Sequence, residues 1–532
     1  MTMTETRPSA AAPEPTEIDH ADAPAATPGL LGVFGTGDPT VLGRLWIGTA
    51  LLFLLGGLVL ATVVGIETLK PATLEIFSQR SYLQAFSLVH VGLVFLGAIP
   101  LLIGVATVVV PRQLGIATVA FPRAAAAAYW GFLLGGAMVV ASYLINGGPG
   151  GRSREGVDLF IVALGLVCVA LIIASVCLAT TVLALRPAGL ALHRVPAFAF
   201  SILVAATLWI AGIAVLVGLL ALLYVDHRYQ ALNVLNGSAS LAEYLSFATS
   251  QPQVFAVGIP VLGFAADVVP TLTGQPQKRH GTVLGAIGAF GVLSFGAWTL
   301  AAVGHPHLYR EALYTLMAAA AIVPILAIVG GIGESLSKGK PVVRPPLLFA
   351  LAALVMLATG AAVGALRVVA RFHLVATTAD DSVVFYVIGA ALLAGIGAVH
   401  WWWPQIVGQH LKQPLAAASA GLALLGTVLW ALPLAVTGFL DEPLGSIVPA
   451  RGVVKDLNAI SMVGAGVLAL AVLVFLANVA GSLGRSRDDT DVPTDPWDGF
   501  TLEWAADPDA ITIASPTPLL DHKLDHKAAA DA

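Results

Sequence analysis

The chain has 532 residues, of which 58% are apolar and 11% charged, and its formal net charge is −5. Soluble domains carry about a quarter charged residues, so this composition excludes an ordinary soluble globular protein. The acidic balance provides no basic footprint, which argues against nucleic acid as a partner. The lipid bilayer is the partner that the composition predicts.

Residues 1–43 are rich in Ala, Pro, Thr and acidic side chains, and we expect a disordered cytoplasmic tail there. Residues 44–483 hold long apolar runs without period-two alternation, which predicts membrane-spanning helices because lipid cannot solvate an open backbone. Residues 484–532 are polar again and predict a soluble C-terminal tail. Twelve helices are predicted, at about 45–66, 85–110, 125–146, 158–186, 197–225, 245–270, 281–303, 312–334, 345–367, 383–403, 416–438 and 460–482.

Twelve spans would place both termini on one side of the membrane. Lys and Arg in short loops favour the cytoplasm, and they are slightly more numerous on the side of the termini. Arg367 and Arg371 count among the loop charges of the other side. We therefore expect a multi-pass protein of the cell membrane with both termini in the cytoplasm.

Several short motifs succeed one another along the chain. The second predicted helix contains L-V-H-V-G with His90 at its centre, followed by A-I-P-L-L-I-G at 98–104 and V-P-R-Q-L-G at 110–115. The tenth predicted helix ends in W-W-P-Q-I-V-G at 402–408, and the tail contains D-P-W-D-G-F-T-L-E-W at 495–504. Each motif alone is modest, and their order and spacing make the pattern specific.

Together these motifs resemble subunit I of the heme-copper oxidases, the cytochrome c oxidase family, over residues 45–505. The family has T-H-G, M-P-x-L-I-G, V-P-L-Q-I-G and W-F-P-K-I-T-G at similar positions, and D-P-W-G-G-R-T-L-E-W in bacterial tails. The resemblance implies an all-α integral membrane fold, with twelve transmembrane helices in the cytochrome c oxidase subunit I-like arrangement. It also implies respiratory membranes, other oxidase subunits as partners, and oxygen reduction coupled to proton pumping.

The resemblance further implies a set of metal ligands. In the family, a low-spin heme takes one axial His from helix 2 and another from helix 10. A second heme takes one further His from helix 10, and copper takes one His from helix 6 and a pair from helix 7. Imidazole suits iron and copper, so loss of these residues predicts loss of the metals. Among these positions only His90 matches.

The other ligand positions carry different residues. Gln251, Gln253 and Phe255 stand where the family has His, Glu and Tyr on helix 6, and Trp298 and Thr299 stand where it has the His pair on helix 7. On helix 10 the window 381–384 replaces H-F-H, and no His occurs between His373 and His400. Where the family has an Arg pair for the heme propionates, this chain has the acidic pair 441–442.

We therefore predict that the chain lacks copper, has no catalytic residues at the family positions, and does not reduce oxygen. His90 has two interpretations: a residual axial ligand of a heme, or a histidine that is hydrogen-bonded between helices. We favour the second, which leaves a bound heme doubtful.

Three functions follow as hypotheses. The favoured one is a non-catalytic paralogue or accessory component of a respiratory membrane complex. The first alternative is a divergent, functional terminal oxidase that recruits ligands such as His305, His307, His373 or His400. The second alternative is a binder or transporter of a small hydrophobic molecule.

Three further features have simpler interpretations. Asp267 is expected to be solvated at the membrane surface. The run 401–403 of three Trp residues, with Tyr386, is expected to form an interfacial aromatic belt and to help determine the fold. His522 and His526 are four residues apart and could bind a metal weakly, but in a tail we expect them to be solvated.

Overall fold

The structure, a computed structural model, describes residues 35–69, 77, 79–187, 189–230, 255–299, 312–445, 451–484, 495–512 and 515–531. In these ranges the chain is helical, and its one extended pairing is an isolated bridge between Thr377 and Pro443. The fifteen α-helices in the described ranges are α1 Pro39–Leu69, α2 Gln79–Val91, α3 Ile99–Gln113, α4 Pro122–Leu144, α5 Arg154–Ala184, α6 Ala197–Tyr229, α7 Gly258–Thr273, α8 His280–Leu293, α9 Ala312–Ala320, α10 Ile322–Lys338, α11 Pro345–Arg367, α12 Thr378–Val407, α13 Gln413–Gly438, α14 Gly452–Leu483 and α15 Pro518–Asp531.

Eleven spans in these described ranges are long and apolar enough to cross a bilayer, and the chain is a multi-pass membrane protein. The helix predicted at 245–270 corresponds to α7, which has 16 residues. At 1.5 Å per residue α7 is about 24 Å long, shorter than the roughly 30 Å of a bilayer core. The first helix begins at Pro39, within the stretch 1–43 that is predicted from the sequence as the N-terminal tail.

Two spans form the centre of the bundle. The apolar windows of Ser81–Gln113 and of Thr378–Val407 are fully buried, whereas the other long spans have a lipid-facing side. The first central span consists of α2 and α3 joined by a buried π-helical segment, Gly92–Ala98. π-Helical segments are rare in proteins, and those that occur often lie near functional sites. This one begins two residues after His90.

The polar bonds between helices define two ends of the bundle. At one end Arg44 of α1 donates to the backbone oxygen of Ile406 at the end of α12. Residues 495–504 pack against the same end of α12, where Trp497 donates to the backbone oxygen of Trp401. We call this the tail end, and we call the end that carries the loop 439–445 the distal end.

The C-terminal segment is attached to the bundle at the tail end. Trp497 stacks on Trp401 with ring centroids 5.0 Å apart, and Trp504 meets Trp401 edge-on at 5.5 Å. Asp495 closes the turn by accepting from the backbone nitrogen of Gly499, and Lys523 of α15 binds Asp495 at 2.9 Å. Residues 495–504 of the C-terminal tail are thus packed against the membrane domain.

Candidate functional site

Two adjacent carboxylates stand at the beginning of α12, at the distal end. Thr377 caps the helix by accepting from the backbone nitrogen of Ala379 at 3.3 Å, and Asp380 and Asp381 follow in the first turn. Acidic side chains are stabilised there because the free N–H groups give the helix start a positive partial charge. Each of the two carboxylates binds a cationic or potentially cationic side chain from a different helix.

Asp381 binds His90 of the other central span. Its Oδ1 lies 3.2 Å from His90 Nε2, while His90 Nδ1 lies 3.0 Å from the backbone oxygen of Phe86. A carbonyl oxygen only accepts, so Nδ1 carries a hydrogen. Nε2 and Oδ1 then require one proton between them, since two lone pairs would repel each other. The pair is a buried proton-holding contact, with the His90 side chain 9% exposed.

Aromatic rings surround this pair. The His90 ring lies 4.4 Å from that of Phe86 and 5.4 Å from that of Phe385, and Phe385 stacks on Trp430 of α13 at 4.0 Å. Phe385 follows Asp381 by one helical turn, so both side chains lie on the face of α12 toward His90. From α12, therefore, one carboxylate and one phenyl ring lie beside the His90 imidazole.

A cavity of about 130 Å³ adjoins His90 and Asp381. Its walls come from α1, α2, α12, α13 and α14, and the loop with Glu442, Pro443 and Gly445 lines it at the distal end. Cofactor and drug-sized sites measure roughly 300–1,000 Å³, so the cavity is small for such a ligand.

Asp380 binds Arg367, the last residue of α11. Arg367 Nη1 lies 3.1 Å from Asp380 Oδ1, and the two side chains are 2% and 4% exposed. The same guanidinium donates to the backbone oxygen and the hydroxyl of Thr299, at 2.8 and 2.6 Å. Buried charges persist in proteins only when they are paired and hydrogen-bonded, and this pair meets both conditions.

Thr299 and His90, two of the residues predicted as family positions, thus belong to neighbouring clusters joined through Asp380 and Asp381. Trp298 instead packs edge-on against Phe295 and Tyr314, at 5.2 and 5.1 Å. Phe255 is buried and, like Trp298 and Thr299, does not line the cavity beside His90. Gln251, Gln253, His305 and His307 lie outside the described residues.

The surroundings of His90 do not fit a heme held between two imidazoles. An imidazole that binds iron has two requirements: a free lone pair on Nε2 and a carbonyl that accepts from Nδ1–H. The backbone oxygen of Phe86 meets the second one. Nε2, however, faces Asp381 at 3.2 Å, and α12 presents Phe385 rather than a second imidazole. Within the described ranges, no group of three His, Cys, Asp or Glu side chains could hold a metal ion.

A second polar cluster lies at the tail end and joins the tail to the bundle. Gln113 Nε2 donates to Asp267 and to Glu503, at 3.1 Å each, and Trp402 Nε1 donates to Glu503 at 3.2 Å. Asp267 also accepts from the first backbone nitrogens of α6, those of Ala197 and Phe198, at 3.0 Å each. Asp267 therefore caps a helix and is half-buried, whereas the sequence predicted a solvated side chain.

Two other expectations also require correction. Trp401, Trp402 and Trp403 are at most 5% exposed, so they do not form a lipid-facing belt. They pack beneath the tail, in agreement with the expectation that they help determine the fold. Arg367, which was assigned to a loop, is the buried partner of Asp380. The sequence contained one signal for this pair. Arg367 ends an apolar run, and the opposite charge of Asp380 follows thirteen residues later in the chain.

Comparisons with known proteins agree with this architecture. Residues 41–468 match the family model of cytochrome c and quinol oxidase polypeptide I. A solved structure of a heme-copper terminal oxidase dimer superposes with a TM-score of 0.66 at 12% identity, covering 92% of this chain and 89% of the other. At that identity, the superposition supports the fold alone.

Curated relatives have similar lengths. A Streptomyces coelicolor protein described as a cytochrome c oxidase subunit 1-beta is 29% identical, over 88% of this chain and 85% of the relative. Cytochrome c oxidase subunit 1 of Bacillus subtilis is 25% identical, over 88% of this chain and 77% of the relative. The match covers most of the membrane domain, and the chain belongs to the subunit I family of the heme-copper oxidases.

Proposed function

We propose that the chain is a non-catalytic paralogue of oxidase subunit I, acting as an accessory component of a respiratory membrane complex. One observation carries the proposal: His90 Nε2 contacts Asp381 at 3.2 Å, with Phe385 rather than an imidazole on the facing helix. An iron-binding imidazole needs a free Nε2 lone pair and an axial partner. The described surroundings of His90 offer neither.

The position of Thr299 supports the same proposal. When the sequence motifs are matched in order to those of the family, Trp298 and Thr299 stand at the positions of the His pair that holds copper in the family. Thr299 instead accepts twice from Arg367, whose guanidinium charge is balanced by Asp380. Both Thr299 oxygens therefore accept from Arg367, and the position offers no imidazole, the ligand type that suits copper.

The proposal includes twelve spans, both termini in the cytoplasm, and other oxidase subunits as partners. The beginning of α1 and the C-terminal segment lie at the same end of the bundle, which supports a common side for the termini. The motif 495–504 joins the tail to α12 and contributes nothing to the cavity at His90. Its role is therefore one of assembly, which supports the proposal of an accessory component.

Heme and copper analysis of the purified chain tests the proposal. We expect less than about a tenth of one equivalent of copper and no spectrum of bis-imidazole heme. Near-stoichiometric copper together with an intense heme band would overturn it. The alternative of a divergent functional oxidase, which the match to oxidase relatives favours, predicts that second result.

A third candidate is a binder of small molecules, and the cavity beside His90 favours it. Mass spectrometry of molecules that co-purify with the chain tests this candidate. Bulk lipid as the only co-purifying material would argue against it.

A further inference from the structure

The cavity beside His90 has an unbalanced set of polar groups. Asp381 makes one hydrogen bond, through Oδ1 to His90, and the described residues provide no partner for its Oδ2. Glu442 lines the distal side of the cavity, and no cation is paired with it among the described residues. His90 balances at most one of these two carboxylates, so the lining keeps an excess negative charge.

The first helix carries a further buried carboxylate, outside the cavity lining. Glu67 lies on α1, two residues after Gly65, which lines the cavity. Glu67 is 3% exposed, and neither of its carboxylate oxygens has a hydrogen-bond partner among the described residues. Burying an unpaired carboxylate is costly, so a cation bound close by would stabilise this end of the bundle.

The walls of the cavity are aromatic as well as acidic. Phe385 and Trp430 stack at 4.0 Å with an interplanar angle of 16°, and Phe86 lies on the other side of the His90 ring. Aromatic faces attract cations, and Trp does so most strongly. Metal ions prefer several oxygen or imidazole ligands, whereas aromatic walls with two carboxylates suit an organic cation.

The volume limits the size of such a ligand. A cavity of roughly 150 Å³ holds a molecule the size of benzene, and this cavity measures about 130 Å³. We propose that the cavity binds a small alkylammonium ion, with its charge toward Asp381 and Glu442 and its alkyl groups against Phe385 and Trp430. This inference goes beyond the proposed function, because it assigns the site a ligand of its own.

Equilibrium binding of radiolabelled tetramethylammonium to the purified full chain tests the inference. We expect saturable binding that Asp381→Asn weakens at least tenfold and Glu442→Gln weakens severalfold. The asparagine amide can still bond to His90, and Glu442 lies in a loop, so at least one variant keeps its fold. Glu155→Gln is the matched control, because Glu155 is an exposed first-turn carboxylate of α5 outside the cavity lining.

Two outcomes would overturn the inference. One is the lack of saturable binding to the wild-type chain. The other is a result that assigns the binding to apolar contact alone: either both cavity variants bind the cation as tightly as the wild-type chain does, or neutral tert-butanol at equal concentration displaces it. Neither outcome depends on oxygen consumption, so the inference and the proposed function fail separately.

Discussion

Asp380 and Asp381 are neighbours in the first turn of α12, yet their partners come from different parts of the bundle. Asp380 binds Arg367 at 3.1 Å, and Asp381 binds His90 at 3.2 Å. Successive helical residues point about 100° apart, so two adjacent carboxylates reach two different neighbouring helices. These two contacts connect α2, α11 and α12 at the distal end.

The Arg367–Asp380 pair can be tested by removing one charge. Arg367→Met leaves Asp380 buried without its cation, so we expect a loss of about 3–5 kcal/mol in the free energy of unfolding. Adding Asp380→Asn removes the unpaired charge and should recover much of that loss. The measurement is reversible unfolding in mixed micelles with increasing denaturing detergent.

Arg371→Met serves as the control, because Arg371 is exposed in the short helix Ala370–Phe372. A double variant that is no more stable than Arg367→Met would contradict the assigned pairing.

At this scale the sequence predicted His90 as the residue of interest, and the structure places its imidazole against Asp381. It did not predict Asp381 and Phe385 as its neighbours, although the window 381–384 already included the carboxylate. Register across two helices 291 residues apart is decided by packing, which no local pattern records. Arg367 was missed for a related reason, since a charge at a helix end has the same local signature in a loop and in a buried pair.

At the scale of elements, the C-terminal segment depends on a buried carboxyl group. Glu503 is 5% exposed, and its Oε2 has no hydrogen-bond partner within the part of the chain that the structure describes. Burial raises the pKa of Glu503, and its hydrogen bonds to Gln113, Thr501 and Trp402 only partly oppose that effect. The docked segment therefore favours the protonated carboxyl group.

This predicts a pH dependence of docking. A carboxyl group with a raised pKa in the docked state stabilises docking below its free pKa of about 4.3. That contribution is lost as the pH rises through the higher docked pKa. A nitroxide on a cysteine introduced at the exposed Leu524 should become more mobile with rising pH, as measured by electron paramagnetic resonance.

Glu503→Gln should remove that dependence, and Asp525→Asn, an exposed change in the same segment, should preserve it. Mobility that falls with rising pH would refute the assigned role of Glu503.

The α13–α14 contact depends on a glycine. A Cβ added to Gly464 would clash with the backbone nitrogen of Trp430, whereas one added to Gly481 of the same helix would meet nothing within 4 Å. Gly464→Ala should therefore force α13 and α14 apart and displace Trp430 from the cavity wall.

We expect Gly464→Ala to lower the thermal unfolding temperature by several degrees, since overpacking costs about 1–3 kcal/mol. Gly481→Ala should leave that temperature unchanged or raise it slightly. Equal effects of the two changes would contradict the close approach of the helices.

For the molecule as a whole, hydropathy and motif order predicted the all-α membrane fold and the family. A long apolar run predicts a helix reliably, because lipid cannot hydrogen-bond to an open backbone. Eleven of the predicted spans accordingly recur in the described residues. The packed tail was not predicted, because polar composition alone resembles that of a solvated segment. Its aromatic and Leu side chains were the available signal, since Trp497, Phe500, Leu502 and Trp504 are all buried.

The most direct measurement of the central claim is oxygen consumption by the purified chain, supplied with an excess of a reduced one-electron donor. The account predicts no cyanide-sensitive rate above that of a detergent blank. A cyanide-sensitive rate that scales with protein concentration would contradict it.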